Sequence, residues 1–163
     1  MAAADKILLG TGVFSIGGTP VALTRGGGSF NVERTYREIE ADGDFGPVEG
    51  RQVIDREVAR LTINGLDIFN PTDLLKQYPG LANATGTVTS SLVIATGDYV
   101  DVQWVGKTKD GKGVTIKVDN ALNLSNIEWN LEDKNEVVPS LEFTGHYSEA
   151  SRTTPPWSVV FAA

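Results

Sequence analysis

The residue types that most often carry catalysis are few in this sequence. His146 is the only histidine, so it has no second imidazole with which to hold a metal ion. It falls on the same face of a predicted strand as Glu142 and Thr144, which indicates a surface histidine rather than a catalytic base. Cysteine is absent, which excludes disulfides, thiolate metal sites and cysteine nucleophiles.

Two glycine-containing strings partly match phosphate-binding motifs, and both fail in their context. Residues 106–108 (Gly-Lys-Thr) match the end of a P-loop, but Asp101 stands where that motif needs its first glycine. Gly10 and Gly12 begin a dinucleotide fingerprint, but Ser15 occupies the third glycine position and no βαβ pattern follows. We therefore expect no nucleotide site here.

Three acidic side chains, Asp42, Asp44 and Glu49, could gather around a cation. An EF-hand loop would need a glycine where Pro47 stands and an oxygen ligand where Gly46 stands. The sequence therefore predicts no metal, no cofactor, no catalytic residue and no enzymatic activity.

Length and composition favour one domain over residues 1–163, with 40% hydrophobic and 21% charged residues. No apolar run is long enough to span a membrane, and residues 1–9 lack the pattern of a secretory signal. We therefore expect assembly in a cytoplasm and no membrane partner. The formal net charge of -7 argues against a protein that grips nucleic acid by its phosphates.

Most of the chain alternates apolar and polar residues, and turn residues interrupt it at short intervals. One such segment turns Ala59, Leu61 and Ile63 inward. Eight strands are predicted, at residues 30–40, 57–66, 87–95, 99–107, 114–119, 126–131, 141–147 and 157–161. A set of short strands like this predicts a mainly β fold, a β-sandwich or β-barrel.

One short helix is predicted beside these strands. Asn70 can cap its N-terminus, Pro71 suits its first position, and Pro79 and Gly80 end it. Two turns of helix are unstable alone, so we expect the helix to pack on a flank of the sheets.

The turn around residues 109–111 has a predictable register. A two-residue loop would oppose an apolar strand face to a charged one. A three-residue loop with Gly111 in the left-handed conformation instead pairs Trp104 with Ile116 and Val102 with Val118, and we predict this register.

Residues 26–28 are three consecutive glycines. A run this flexible cannot pack a core, so it indicates either an ordinary loop or a hinge or close approach between two backbones.

Five segments carry a resemblance to a known family. They are residues 5–10 (Asp-Lys-Ile-Leu-Leu-Gly), 46–50 (Gly-Pro-Val-Glu-Gly) with 51–61, 66–71 (Leu-Asp-Ile-Phe-Asn-Pro), 136–147 (Glu-Val-Val-Pro-Ser-Leu-Glu-Phe-Thr-Gly-His-Tyr) and 154–157 (Thr-Pro-Pro-Trp). In these segments the chain resembles the major tail tube proteins of long, non-contractile-tailed bacteriophages.

The resemblance implies a structural virion protein, made in the host cytoplasm and found in the virion tail. Its subunits are expected to form a β-sandwich or β-barrel with one flanking helix, and hexameric rings that stack into a tube through which DNA leaves the capsid. The implied partners are other copies of the chain, tape-measure and tail terminator or tip proteins, and DNA that passes without specific binding.

Residues 41–56 are predicted to form a long loop that reaches the next ring. A structureless connection of this length is uncommon in a compact domain unless it has a function. Apolar side chains within it need a partner surface, and charged ones can fix orientation. The loop residues expected to act are Asp44, Phe45, Val48, Arg51, Val53, Ile54, Asp55 and Arg56. The alternative is a loop folded back over its own domain.

The channel should be lined by acidic and neutral polar residues, because DNA must slide through it without sticking. The candidates are Glu33, Thr35, Arg60, Thr62, Asp101 and Gln103.

Two alternative functions stay open. A tube protein of a contractile tail or a type VI secretion apparatus would share the fold and the ring. A β-sandwich binding module, for example for carbohydrate, would need a planar row of exposed aromatic rings, whereas Trp104, Trp129 and Trp157 are predicted on apolar strand faces.

Overall fold

The computed structural model of the chain describes residues 3–67 and 69–163. Met1, Ala2 and Ile68 lie outside the described residues, and Ile68 belongs to one of the segments that carry the family resemblance. The described part contains ten strands and one α-helix. The strands are β1 (Leu8–Ile16), β2 (Thr19–Val21), β3 (Thr24–Glu38), β4 (Gln52–Gly65), β5 (Leu81–Ala84), β6 (Thr87–Ser90), β7 (Val100–Thr108), β8 (Gly113–Asn123), β9 (Ser140–Gly145) and β10 (Trp157–Phe161). The predicted mainly β class is confirmed, with 52% strand and 8% helix.

Eight of the strands form one antiparallel sheet in the order β2-β1-β7-β8-β9-β4-β3, with β10 also paired to β8. Strand β8 has two partners on the same side, because β10 pairs with its first half and β9 with residues 121–123. The sheet therefore divides into two wings. The first wing is β1, β7, β8 and β10, and the second wing is β9, β4 and β3.

The apolar faces of the two wings pack against each other and form the core. The largest buried side chains come from both wings, among them Leu61 and Phe143 of the second and Val102 and Val118 of the first. Phe30 on β3 contacts Trp157 on β10, with 5.8 Å between the ring centroids. Because the apolar faces meet, the outer faces of the two wings point in opposite directions, as in a β-sandwich.

The hairpin of β7 and β8 has the predicted register. Trp104 pairs with Ile116 and Val102 with Val118, and Gly111 has a φ of 87° in the turn. The indole ring of Trp104 is buried and lies over Gly106 and over Gly12 on β1, where any Cβ would collide with it. Gly12 and Gly106, two of the glycines that partly match nucleotide-binding motifs, therefore make room for a tryptophan.

The predicted helix is also present, as α1 (Pro71–Gln77). The side chain of Asn70 accepts a hydrogen bond of 2.9 Å from the backbone N–H of Asp73, and Pro71 occupies the first turn. Tyr78, just after the helix, is buried in the core, and Leu74 packs against it. No helix in the described residues is long and apolar enough to cross a membrane.

Some predicted strands differ from the structure. Residues 126–131 form no strand. Ile127 and Trp129 alternate with polar residues as in a strand, but they line the groove beside α1 instead of belonging to a β-ladder. The predicted strand at residues 87–95 ends at Ser90, since Ser91 donates its backbone N–H back to Gly80. Strands β1, β2 and β5 were not predicted.

The glycine run at residues 26–28 lies inside β3 and is not a loop. Gly26 and Gly27 have positive φ values of 80° and 64°, where the pairing of β3 with β4 shifts register. A Cβ at Gly28 would lie 2.8 Å from Cζ of Phe14, so the run is a close approach between the first and second wings.

Candidate assembly surfaces

A two-stranded arm extends from the sandwich. Strand β9 pairs with β4 only from Arg60 to Asn64, whereas β3 continues to pair with β4 down to Gln52. We call residues 34–56 the arm and the rest of the two-layer sandwich the body. The predicted loop at 41–56 is wrong in its boundaries, because residues 52–56 belong to β4 and the loop covers residues 39–51.

The loop at the tip of the arm is braced by its own bonds. The carboxylate of Asp44 pairs with Arg51 at 2.6 Å and accepts the backbone N–H of Ala41 at 2.9 Å. Glu38 accepts the backbone N–H of Val48 at 3.0 Å. In the described part of the chain, the hydrogen bonds of the loop join it to itself or to Glu38, which does not match the alternative of a loop folded over the body. Phe45 is fully exposed at the tip.

Glu57 fixes the base of the arm to the body. Its side chain is only 11% exposed and pairs with Nε of Arg34 at 2.9 Å. The indole N–H of Trp157 donates to the same carboxylate, and the hydroxyl of Tyr147 donates to the backbone oxygen of Glu57 at 3.2 Å. These three contacts join β3, β4 and β10, so the direction of the arm is set by the body.

The remaining predicted loop residues lie along the strands of the arm. Asp55 pairs with Arg37 on β3 at 3.0 Å. Ile54 pairs in register with Tyr36, and their side chains are 49% and 61% exposed. Val53 and Arg56 also belong to β4. The arm therefore exposes apolar side chains to solvent along its strands as well as at its tip.

The predicted channel residues fall on two different outer faces. Glu33, Thr35, Arg60 and Thr62 lie on the outer face of the second wing, on β3 and β4. Asp101 and Gln103 lie on β7 in the first wing. Because the two outer faces point in opposite directions, the six residues lie on two surfaces, and which of them lines a channel stays a prediction.

On the second wing, one arginine lies between two carboxylates. Arg60 is 2.6 Å from Glu33 and 3.6 Å from Glu142. The hydrogen bond from Arg60 and then its charge hold the pKa of the Glu33 carboxyl below its usual value. Thr62 and Thr144 lie beside them and are neutral. The cation is thus neutralised in place, and the cluster keeps a net negative charge.

The first wing repeats this arrangement with a lysine. The Lys117 ammonium is 3.1 Å from Asp119 and 3.8 Å from Asp101. Hydrogen bonding and charge from Asp119, with a smaller contribution from Asp101, raise the pKa of Lys117. This outer face also exposes Val13 and Val105, so it is less uniformly polar than the face of the second wing.

Several strand edges of the described sheet are open, including that of β10, which pairs only with β8. Among the described strands, β3 pairs only with β4, so one side of a 15-residue strand has no ladder partner. At the other end of the sheet, β2 covers β1 only from Phe14 to Ile16 and leaves its first half open. Open edges present backbone N–H and C=O groups that can pair with another chain.

An apolar groove of about 400 Å³ lies beside α1. Phe69 and Trp129 meet edge to face in it, with ring centroids 5.1 Å apart and planes at 80°. The indole N–H of Trp129 donates to the hydroxyl of Tyr78 at 3.3 Å. The other lining residues are Asn70, Pro71, Leu74, Leu81, Gly86, Val88 and Ile127. The sequence did not predict this groove, and it placed Trp129 on a strand face, which is wrong.

His146 lies half-buried after β9. Its Nδ1 is 3.2 Å from the backbone oxygen of Asn120, and its ring meets Tyr99 edge to face with centroids 5.3 Å apart. These contacts suit a packing role. In residues 3–67 and 69–163 there is no group of three or more His, Cys, Asp or Glu side chains that could hold a metal ion.

A scan against protein-family models gave no match. A search of curated proteins gave none either.

Proposed function

We propose that the chain is the structural subunit of a phage tail tube, which forms closed rings that stack around a channel for DNA. The observation that carries this proposal is the open edge of β3. A 15-residue edge with no partner is an aggregation hazard for a monomer, and natural monomers usually shorten or cover such edges. A neighbouring copy that pairs with it turns the hazard into an assembly contact.

The open edges of β3 and β1 differ in sequence and lie toward opposite ends of the sheet order. Contacts between different edges are head to tail, and a repeated head-to-tail contact closes into a ring when its rotation permits. The resemblance to tail tube proteins supports a hexamer.

The channel lining that we propose is the outer face of the second wing. It carries Glu33 and Glu142 with Arg60 between them, among neutral threonines, and Arg56 lies beside Thr35 and acts on the Glu33 carboxylate. Its two cations are therefore balanced by two carboxylates and offer little to a DNA phosphate. Asp101 and Gln103 then face the outside of the ring. Within this proposal, DNA passes in transit, and tape-measure and tail terminator or tip proteins are the other partners.

Electron microscopy of the concentrated protein tests the class. Tubes with a central channel are expected, and a strict monomer at every concentration would overturn the proposal. Hydrogen exchange on the same samples tests the edge: amides of β3 should gain protection in tubes, whereas the turn at residues 109–111 should not. A bare outer surface of the tube separates this function from that of a sheathed, contractile tube.

The channel assignment has its own test with a matched pair of variants. Glu33→Lys places a cation on the proposed lining, and Asp101→Lys places one on the opposite face. Slower DNA ejection at low salt is expected for Glu33→Lys alone, because screening is weak there. The reverse pattern would assign the channel to the first wing.

A further inference from the structure

The apolar tip of the arm precedes strand β4, and the apolar groove beside α1 follows the other end of that strand. We propose that Phe45 of one copy docks into the groove of the copy in the next ring, and that each such contact is too small to act alone, so that only closed rings stack. This inference rests on the proposed tube function, and it adds the surface of the neighbouring copy that the arm contacts.

Phe45 is presented in a fixed position. The loop around it is held by the pair between Asp44 and Arg51 and by the bond between Glu38 and the backbone of Val48. A fully exposed phenylalanine gains nothing from burial in its own subunit. Because the loop is already ordered, little conformational entropy is lost when the ring enters a partner.

The groove suits an aromatic ring. Its volume of about 400 Å³ lies within the range of small-ligand sites, and its walls are mainly apolar. Trp129 meets both Phe69 and Tyr78 edge to face at one side, and an incoming ring can add a contact of the same kind. Ile127 is half exposed at this surface, so the groove is open to solvent.

Strand β4 connects the two surfaces. The loop of the arm precedes Gln52, and α1 follows Gly65 after a short connection. A strand of 14 residues spans roughly 45 Å at about 3.3 Å per residue. A copy displaced along this strand by about one molecular length therefore brings its tip to the groove of the first copy. The contact joins unlike surfaces, and because the displacement runs along the strand without a closing rotation, it repeats as an open stack.

The size of the contact limits what one subunit can do. A buried aromatic side chain covers about 150–250 Å², whereas a stable interface buries about 1,200 Å² or more. Single subunits are thus expected not to stack. A closed ring presents several tips at once, and the combined contacts act with the high effective concentration of a multivalent system.

Crosslinking tests the docking directly, since the chain has no cysteine of its own. Gly46→Cys puts a thiol next to Phe45, at a position where a Cβ meets no atom within 4 Å. Ile127→Cys puts the second thiol in the groove. A short bismaleimide should give a ladder of covalent dimers, trimers and longer chains from assembled protein. The matched control carries Gly46→Cys with Val160→Cys, an exposed site on β10.

Each outcome has a clear consequence. A ladder that needs Ile127→Cys and disappears when Phe45→Ala is added supports the docking. Tubes without a ladder above the control overturn the groove assignment and leave the tube function in place. Absence of rings and tubes at any concentration overturns the tube function itself. Phe45→Ala should yield single rings with tube length reduced at least tenfold, and tubes of normal length, or stacks of unclosed subunits, would overturn the inference.

Discussion

Strands β3 and β4 run through both the body and the arm, yet their apolar side chains lie in opposite environments in the two regions. On β4, Leu61 and Ile63 are buried under the first wing, whereas Ile54 is half exposed in the arm. On β3, Phe30 packs against Trp157 while Tyr36 faces solvent. A second layer covers the strands in the body and ends before the arm. Burial therefore depends on what lies opposite a strand, and the arm retains apolar surface that another copy can cover.

Among substitutions that compare the body with the arm, one in the core of the body should reduce stability most. Trp104→Ala removes a buried indole between Gly12 and Gly106 and should lower the free energy of unfolding by roughly 3–5 kcal/mol. Denaturant unfolding monitored by circular dichroism measures it. A loss of stability below about 1 kcal/mol would contradict the buried position of Trp104, because losses that small are typical of substitutions at exposed sites.

A smaller loss of folding stability is expected when a methyl group is added under the indole ring of Trp104. Gly106→Ala collides with the Trp104 ring and should cost about 1–3 kcal/mol. Gly10→Ala is the matched control, because its Cβ meets no atom within 4 Å. Equal melting temperatures for the two variants would contradict the described packing of the ring.

In the arm, a drastic substitution should leave stability almost unchanged. Phe45→Asp alters a side chain that touches nothing in its own subunit, so the free energy of unfolding should move by less than about 0.5 kcal/mol. Elongation into tubes should nevertheless be lost, as should elongation after deletion of residues 43–51. Sedimentation and electron microscopy measure assembly. A large loss of stability would show that the tip supports the body.

The smallest effect concerns the charge of the outer face. Arg60→Gln removes the partner that lowers the pKa of Glu33, so that pKa should rise toward its usual value. Since the pairing lowers the folded pKa, its contribution is present above the usual glutamate pKa and is lost as pH falls through the folded value. A carbon-detected NMR titration of Glu33 measures the change. An unchanged pKa would show that the pair does not persist in solution.

The sequence predicts those parts of the fold in which local pattern and burial agree. The pairing of Val102 with Val118 follows from alternation, and the start of α1 follows from Asn70 and Pro71. The sequence does not predict strand β1, because Gly10 and Gly12 interrupt its alternation, and Gly12 is needed by a tryptophan about 90 residues away.

The candidate surfaces were harder to predict. The type of Phe45 and its place in a connection predict a contact residue, and its exposure is compatible with that prediction. The pattern of residues 52–56 wrongly predicts a loop, because neither face of the two-stranded arm has to be apolar. The groove could not be predicted, since it combines Phe69 before the helix with Trp129 in a segment without regular structure. Whether a polar residue lies on the outer face of the first or of the second wing depends on how the sheet divides at β8. The alternation of apolar and polar residues contains no information about that division.

Strand β4 runs from the arm into the body, with one register shift where Thr35 pairs with Arg56 and Tyr36 with Ile54, and this course has a mechanical consequence. A force that pulls the tip of the arm away from α1 of the same subunit is carried along the single strand β4 and not across a hinge. Hydrogen bonds between β3 and β4 lie perpendicular to that direction, so the load acts on them in shear and they resist together. A stack linked in this way would transmit tension along its length without its strands peeling apart one bond at a time.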